Sequence, residues 1–225
     1  MTLVACHQPN FLPWLGYFAK LARSDRFVLL DRVQFPRTSR GTYTNRVQLL
    51  IGGQPAWVTV PVVREGVQAI GDVRIDDRQP WRRKALRSIE QSYARAPRFA
   101  ETMPVVRDLL ELDTDRIAVL NEEAIRRLAP EHAHKLVRQS QLPPSDAAAT
   151  DLLIDLVRAA GGDAYLSGDG ADGYQEEPKY AAAGLGFRLL GFEHPDTGAP
   201  PGLSIVDALM RGAVSPAGYA SGPTA

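Results

Sequence analysis

The sequence contains a single cysteine, Cys6, among its 225 residues. One cysteine can form neither an internal disulfide nor a cysteine-based zinc site, which favours a reducing compartment. Basic and acidic residues are balanced at 26 each, so the net charge gives no global attraction to DNA or to an anionic membrane. No apolar run reaches the roughly 20 residues of a transmembrane helix, and no signal-peptide pattern is present. We therefore expect a cytoplasmic protein without a membrane span that binds no DNA.

Motifs for common cofactors and nucleophiles are also missing from the sequence. It has no Walker loop, no dinucleotide-binding fingerprint and no Gly-x-Ser-x-Gly elbow. His132 and His134 are two residues apart and would not share a helix face, so they do not predict a metal site. Cys6 lies within an apolar run that is typical of a buried strand, which makes a Cys–His nucleophile unfavourable. The sequence predicts no cofactor and no metal.

The apolar pattern predicts an α/β fold. An apolar run at 2–6, a helical stretch at 14–23 and a second run at 27–30 form a β-α-β unit, which favours a parallel sheet. Strands at 46–51 and 56–61 flank Gly52-Gly53, which is typical of a hairpin. Further strands are predicted at 73–75, 164–166 and 187–192, and helices at 81–94, 97–112, 114–128, 151–160 and 203–210. We expect a mostly parallel central sheet flanked by helices, with one hairpin insertion and a helical middle section. Residues 1–212 would form a single domain, and 213–225 a disordered tail.

A polar loop stiffened by two prolines follows the first predicted strand. His7, Gln8 and Asn10 leave that strand at its carboxyl end, where ligands bind in open parallel sheets. Histidine titrates near neutrality and serves most often as a catalytic acid or base. The alternative is that His7 caps a turn, with the following aromatic residues in the core.

Two other segments could contribute to a site. Polar and basic residues follow the second strand, and their arginines suit a carboxylate or a phosphate; a solvated surface loop is the alternative. They are Asp31, Gln34, Arg37, Arg40, Tyr43, Asn45 and Arg46. A glycine-rich segment at 167–174 follows the strand at 164–166, and its backbone N–H groups could hold an anion; a turn after an edge strand is the alternative. Part of it resembles the ATP-using domain of glutamine-dependent asparagine synthetases, but the pyrophosphate loop of that domain is missing.

Read together, these segments resemble the WbqC-like family of bacterial proteins. The resemblance is carried first by residues 7–18, His-Gln-Pro-Asn-Phe-Leu-Pro-Trp-Leu-Gly-Tyr-Phe. It continues in order through 27–35, Asn45-Arg46, 57–61, Ile75-Asp76, Trp81, Ser92-Tyr93, 164–168, Tyr174 and 203–209. It implies an accessory enzyme of surface-polysaccharide or specialised-metabolite biosynthesis that modifies amino sugars or related amines. The sequence departs from the family pattern between His194 and Gly202, where a Pro-x-Tyr-x-Gln-like stretch is expected.

The leading hypothesis is a cytoplasmic transferase that forms an amide or similar bond on an amine-bearing small molecule or amino sugar. The donor would be an activated acyl or aminoacyl group. His7 would act as general base, Asp31 would orient a partner, and Arg46 with Arg37 would hold an anionic group. The other predicted substrate-binding residues are Gln8, Asn10, Trp14, Tyr17, Gln34, Tyr43, Asn45, Ser167, Gly168 and Tyr174.

The sequence leaves two other functions open. One is a non-catalytic protein that binds a small ligand or a pathway enzyme. The other is nucleotidyl transfer, because the strand–polar loop–Gly–helix plan resembles nucleotidylyltransferase-like folds; the second histidine of those folds is replaced here by Tyr17. An aminoacyl-tRNA donor and a homodimer are also left open.

Overall fold

A parallel sheet of five strands lies at the centre of the protein, in a computed structural model that describes residues 1–37, 42–171 and 175–214. The strands of the described residues are β1 (Leu3–His7), β2 (Arg26–Leu29), β3 (Arg46–Ile51), β4 (Gln54–Thr59), β5 (Leu136–Arg138), β6 (Ala164–Ser167) and β7 (Gly186–Leu189). The order across the sheet is β5-β2-β1-β6-β7, and every neighbouring pair is parallel. The remaining two strands, β3 and β4, form a separate antiparallel hairpin. The predicted fold class is confirmed.

Helices cover both faces of the sheet. They are α1 (Leu15–Arg23), α2 (Trp81–Tyr93), α3 (Phe99–Leu110), α4 (Ile117–Leu128), α5 (Ala149–Ala159), α6 (Glu177–Ala182) and α7 (Ile205–Met210). Successive side chains of a strand point to opposite faces, and this alternation divides the core into two clusters. Ala5 of β1 belongs to the cluster that includes α1, α2, α3 and α4, whereas Val4 and Cys6 belong to the cluster with α5.

The chain reverses its direction across the sheet between β1 and β6. From β1 it moves outward to β2 and then to β5, and from β6 it moves outward on the other side to β7. The loop after β1 and the loop after β6 therefore lead away from each other at the carboxyl edge. In open parallel sheets such a switch point leaves a crevice in which ligands bind.

Local differences from the prediction have clear structural reasons. The predicted strand at 73–75 is not a regular strand, because Ile75 and Arg74 each form an isolated bridge with a different segment. The hairpin is present, and both Gly52 and Gly53 have the positive φ angles, +60° and +82°, that its tight turn requires. Strand β5 and helix α6 were not predicted from the sequence.

The C-terminal part of the chain packs against the core as far as the structure describes it. The N–H of Ala213 donates to the carbonyl of Ala208 at 2.9 Å, and Val214 contacts the larger apolar cluster. The rest of the predicted tail, 215–225, lies outside the described residues. Among the helices that are described, none has both the length and the apolar character needed to cross a bilayer.

Candidate functional site

A cavity of about 440 Å³ lies at the switch point between β1 and β6, which we call the switch-point cavity. Its size is in the range of small-molecule sites. Helix α1 and the loops after β1, β6 and β7 all contribute to its walls. The lining residues are His7, Trp14, Gly16, Tyr17, Lys20, Tyr165, Gly168, Asp169, Gly170, Leu190 and Phe192.

The loop after β1 is held in place by hydrogen bonds to its main chain. The side-chain amide of Asn121 in α4 donates to the carbonyls of Pro9 (2.9 Å) and Thr44 (2.7 Å), so it joins two segments that are distant in sequence. The N–H of Phe11 donates to the carbonyl of Tyr43 at 3.0 Å. Asn10 is buried, and its amide oxygen has no hydrogen-bond partner among the described residues. These contacts fix the position at which the chain enters α1.

His7 is a neutral imidazole at the wall of the switch-point cavity. Its Nδ1 lies 3.1 Å from the carbonyl oxygen of Gln8. Because a carbonyl can only accept, Nδ1 carries the proton and Nε2 is left as an acceptor. Burial, reinforced by the nearby charge of Lys20, lowers the pKa of His7 to about 3. The ring packs edge-on against Tyr17, with centroids 4.7 Å apart, and the hydroxyl of Tyr17 also donates to the carbonyl of Gln8.

Lys20 is a cavity residue that the sequence analysis missed. It is 4% exposed, and its Nζ donates to the carbonyl of Cys6 at 3.0 Å. The ammonium group lies 5.5 Å from the ring centroid of Tyr165, within the range of a cation–π contact. Burial lowers the pKa of Lys20 to about 8. The available signal was helical spacing, because Lys20 is three residues after the predicted site residue Tyr17 and therefore shares its helix face.

Asp169 lies at the rim of the same cavity, and its carboxylate is bonded to the loop after β7. It accepts the N–H groups of Gly191 (2.7 Å) and Phe192 (2.8 Å). Phe192 in turn packs closely on α1, since a Cβ atom at Gly16 would lie 3.1 Å from its ring. Asp169 thus connects the loops after β6 and β7 and fixes one wall of the cavity.

Other residues of the segment at 167–174 have different positions. Ser167 is fully buried, and its hydroxyl donates to the carbonyl of Gly168 at 3.2 Å. Gly168 lines the cavity, and its role in substrate binding stays a prediction. The predicted site residue Tyr174 lies outside the described residues.

Asp31 lies on the other side of β1, away from the switch-point cavity. Its carboxylate accepts both the main-chain N–H of Ser140 (2.9 Å) and the Ser140 hydroxyl (2.5 Å). It lines a small cavity of about 70 Å³ together with Glu122 and Arg138. Glu122 forms ion pairs with Arg138 and, at 2.8 Å, with Arg126. The structure therefore does not bring Asp31 together with His7 in one cavity, and its contacts connect the ends of β2 and β5.

The predicted site residues between β2 and β3 differ in burial: some are exposed and others are buried. Gln34 and Arg37 are exposed, and the carbonyl of Arg37 accepts a hydrogen bond from Arg64. Asn45 is buried, and its amide donates to the carbonyl of Val60 at 2.9 Å. Arg40 lies outside the described residues. Gln34, Arg37 and Asn45 do not line the switch-point cavity.

An aromatic row leads from the cavity to the hairpin. Trp14 is 5.6 Å from His7 and 5.0 Å from Tyr43, measured between ring centroids. Tyr43 is 5.8 Å from Trp57, and the guanidinium of Arg46 stacks 4.0 Å above the Trp57 ring. Trp57 is 42% exposed, so the outer end of this row is open to solvent.

Most of the chain, including most of the cavity residues, matches a known sequence family. A family model described as "WbqC-like protein family" matches residues 8–216. The chain belongs to the WbqC-like protein family. The resemblance predicted from the sequence is thus confirmed, and the match includes Lys20 and Asp169 and begins one residue after His7.

A relative spans nearly the whole chain. This relative, "Uncharacterized protein Rv1507c" of Mycobacterium tuberculosis, is 27% identical over 230 residues, which is 96% of each chain. No solved structure matches this protein. Among the described residues, no group of three or more His, Cys, Asp or Glu side chains is arranged to hold a metal ion.

Proposed function

We propose that this WbqC-like protein is a group-transfer enzyme that acylates the amine of a small molecule in the switch-point cavity. The observation that carries the proposal is the neutral His7 imidazole at the wall of this cavity, with Nε2 as its acceptor nitrogen. The family resemblance adds an amino sugar or a related amine as the acceptor. The single buried cysteine is consistent with a reaction in the cytoplasm.

The proposed reaction forms one bond and breaks one bond at the acyl carbon. The amine nitrogen of the acceptor attacks the activated acyl or aminoacyl carbon, and the leaving group departs with the bonding electron pair. The proton lost by the amine moves to Nε2 of His7. Backbone N–H groups of the turn at 168–170 would stabilise the oxyanion that develops on the acyl oxygen, because this turn lines the same cavity as His7.

The pKa of His7 sets a condition on this mechanism. A base with a pKa of about 3 is weak, and the positive charge of Lys20 contributes to that low value. A ligand that brings a negative charge near Lys20 would offset this contribution and raise the pKa of His7. Burial is the main cause of the low pKa and persists in the complex, so we expect a bound anion to strengthen His7 as a base only in part.

The test is a product assay with a matched pair of variants. Purified protein is incubated with amino-sugar acceptors and with thioester or aminoacyl donors, and the amide product is measured by mass spectrometry. We expect His7→Gln to lower turnover by about 10²- to 10⁴-fold, which is the usual contribution of a general base. His134→Gln removes an exposed histidine outside the cavity and should leave turnover unchanged.

Two results would contradict the proposal. The first is a correctly folded His7→Gln variant with full turnover. The second is the absence of product with every donor and acceptor pair although the same ligands raise the melting temperature, which would instead identify a non-catalytic binding protein.

A further inference from the structure

We propose that Lys20 binds an anionic group, a carboxylate or a phosphate, of the ligand that occupies the switch-point cavity. The inference rests on the proposed function in that it concerns the same cavity, and it adds the charge of the ligand. It also assigns a binding role to a residue outside the sequence-predicted site.

The first argument is the unpaired charge. Lys20 is 4% exposed, and within the described part of the chain its ammonium group has no carboxylate partner within 4.0 Å. A buried charge is costly unless it is paired, so proteins rarely keep one without a counter-charge. An anionic ligand in the cavity would provide that counter-charge.

The second argument is the set of groups that face Lys20. The carboxylate that influences Lys20, that of Asp169, accepts two main-chain N–H groups of the loop after β7 and is exposed. The other titratable neighbours are His7, Cys6, Tyr17 and Tyr165, and burial favours the neutral form of each. No described side chain around the ammonium group therefore supplies a paired negative charge.

The third argument is geometry. Lys20 lines the cavity, and its one hydrogen bond, to the carbonyl of Cys6, uses one of three N–H donors. Gly16 lies one helical turn before Lys20, in the first turn of α1, and lines the same cavity. That turn has no acidic residue, and Trp14 makes no side-chain capping bond, so the positive end of the helix dipole lies at the wall of the same cavity, although Lys20 itself stands in the last turn of α1.

The test measures anion binding by the full chain and does not depend on turnover. Inorganic phosphate and acetate are titrated separately against wild type, with chloride used to keep the ionic strength constant. Binding is followed by the melting temperature and by calorimetry. We expect Lys20→Met and Lys20→Gln to weaken binding of the effective anion at least tenfold.

The matched control is Lys135→Met. Lys135 also donates to a main-chain carbonyl of the α1 segment, that of Ala22 at 2.7 Å, but it does not line the switch-point cavity. We expect this variant to bind the anion as wild type does. An equal loss in the Lys135 and Lys20 variants would show a general charge effect and would overturn the proposal.

A second measurement needs no variant. The chain has four lysines, so their side-chain signals can be followed separately by NMR in protein labelled at lysine. Lys20 should titrate near pH 8, well below an ordinary lysine, and saturating anion should move that titration upward. Titration of all four lysines that is insensitive to both anions would overturn the proposal.

The results distinguish a phosphate-bearing ligand from a carboxylate-bearing ligand. They also distinguish failure of the proposed function from failure of the role inferred for Lys20. Stabilisation by phosphate alone identifies a phosphate-bearing ligand, and stabilisation by acetate alone identifies a carboxylate. Stabilisation by neither anion contradicts the inference. Anion binding that depends on Lys20 in a protein that forms no product would refute the proposed function only, whereas turnover that depends on His7 without anion binding would refute this inference only.

Discussion

Asp31, which follows β2, tests whether a predicted site residue stabilises the fold instead of lining the switch-point cavity. In Asp31→Ala, Ser140 loses both acceptors, the one for its main-chain N–H and the one for its hydroxyl. These two bonds hold the segment after β5 against the end of β2. We expect the substitution to destabilise the protein without changing the lining of the switch-point cavity, to which Asp31 does not contribute.

The expected loss can be worked from the two bonds. Hydrogen bonds to a charged group contribute about 1.5–3 kcal/mol each. Ser140 is exposed and Asp31 is 8% exposed, so water replaces part of the loss on the Ser140 side. We therefore expect Asp31→Ala to lower the free energy of unfolding by about 2–4 kcal/mol, a large share of the roughly 5–15 kcal/mol of a typical domain.

The assay is denaturation by urea, followed by tryptophan fluorescence. Ser140→Ala removes the hydroxyl bond only, so we expect it to cost about 1–2 kcal/mol, and the double variant should cost little more than Asp31→Ala alone. Asp113→Ala is the control, since Asp113 is exposed and has no hydrogen bond or ion pair among the described residues. If Asp31→Ala unfolds at the same denaturant concentration as wild type, the carboxylate does not stabilise the fold, and the reasoning is refuted.

Two further predictions concern the sheet and its edge. The pKa of His7 is about 3 in the folded protein and near 6.5 when unfolded, so the unfolded state takes up the proton first and stability falls as the pH drops from 6.5 toward 3. Denaturation at pH 6.5 and 4 should show that His7→Gln loses about 3 kcal/mol less than wild type over this interval, and equal losses would contradict this. Gly162→Ala would place a Cβ 2.3 Å from the Val4 side chain, an overpacking that should cost about 1–3 kcal/mol in thermal or urea unfolding. Gly170→Ala, with no atom within 4 Å of the new Cβ, is its control, and equal stability of the two variants would be the contrary result.

The β-α-β start could be predicted from the sequence because its signals are local. Apolar runs define β1 and β2, and the prolines between them exclude regular structure until α1 begins. Strand β5 could not be predicted in the same way. It has three residues, and it exists as a strand because Leu136 pairs with Phe27, more than a hundred residues earlier in the chain.

Of the candidate site, only the residues close to the ends of predicted strands could be predicted from the sequence. His7 at the end of β1 and Gly168 after β6 both line the cavity, because the carboxyl ends of β1 and β6 are adjacent, whereas Gln8 and Asn10 of the polar loop do not line it. Lys20 was missed because a lysine in a helix usually lies on a solvated face. Its burial arises from Tyr165 and the carbonyl of Cys6, contacts that only the assembled sheet provides. Asp31 was expected beside His7 because their strands are neighbours, but its side chain reaches the segment after β5 instead.

The two hydrogen bonds between Asp169 and the loop after β7 have a consequence for the segment that follows this loop. The segment in which this chain departs from the family pattern, from His194 to Gly202, begins two residues after the main-chain N–H of Phe192 that Asp169 holds. The wall of the cavity is thus anchored before this segment begins, while the sheet and α1 form the remaining walls. A change within residues 194–202 would therefore leave the two hydrogen bonds that Asp169 accepts from Gly191 and Phe192 in place.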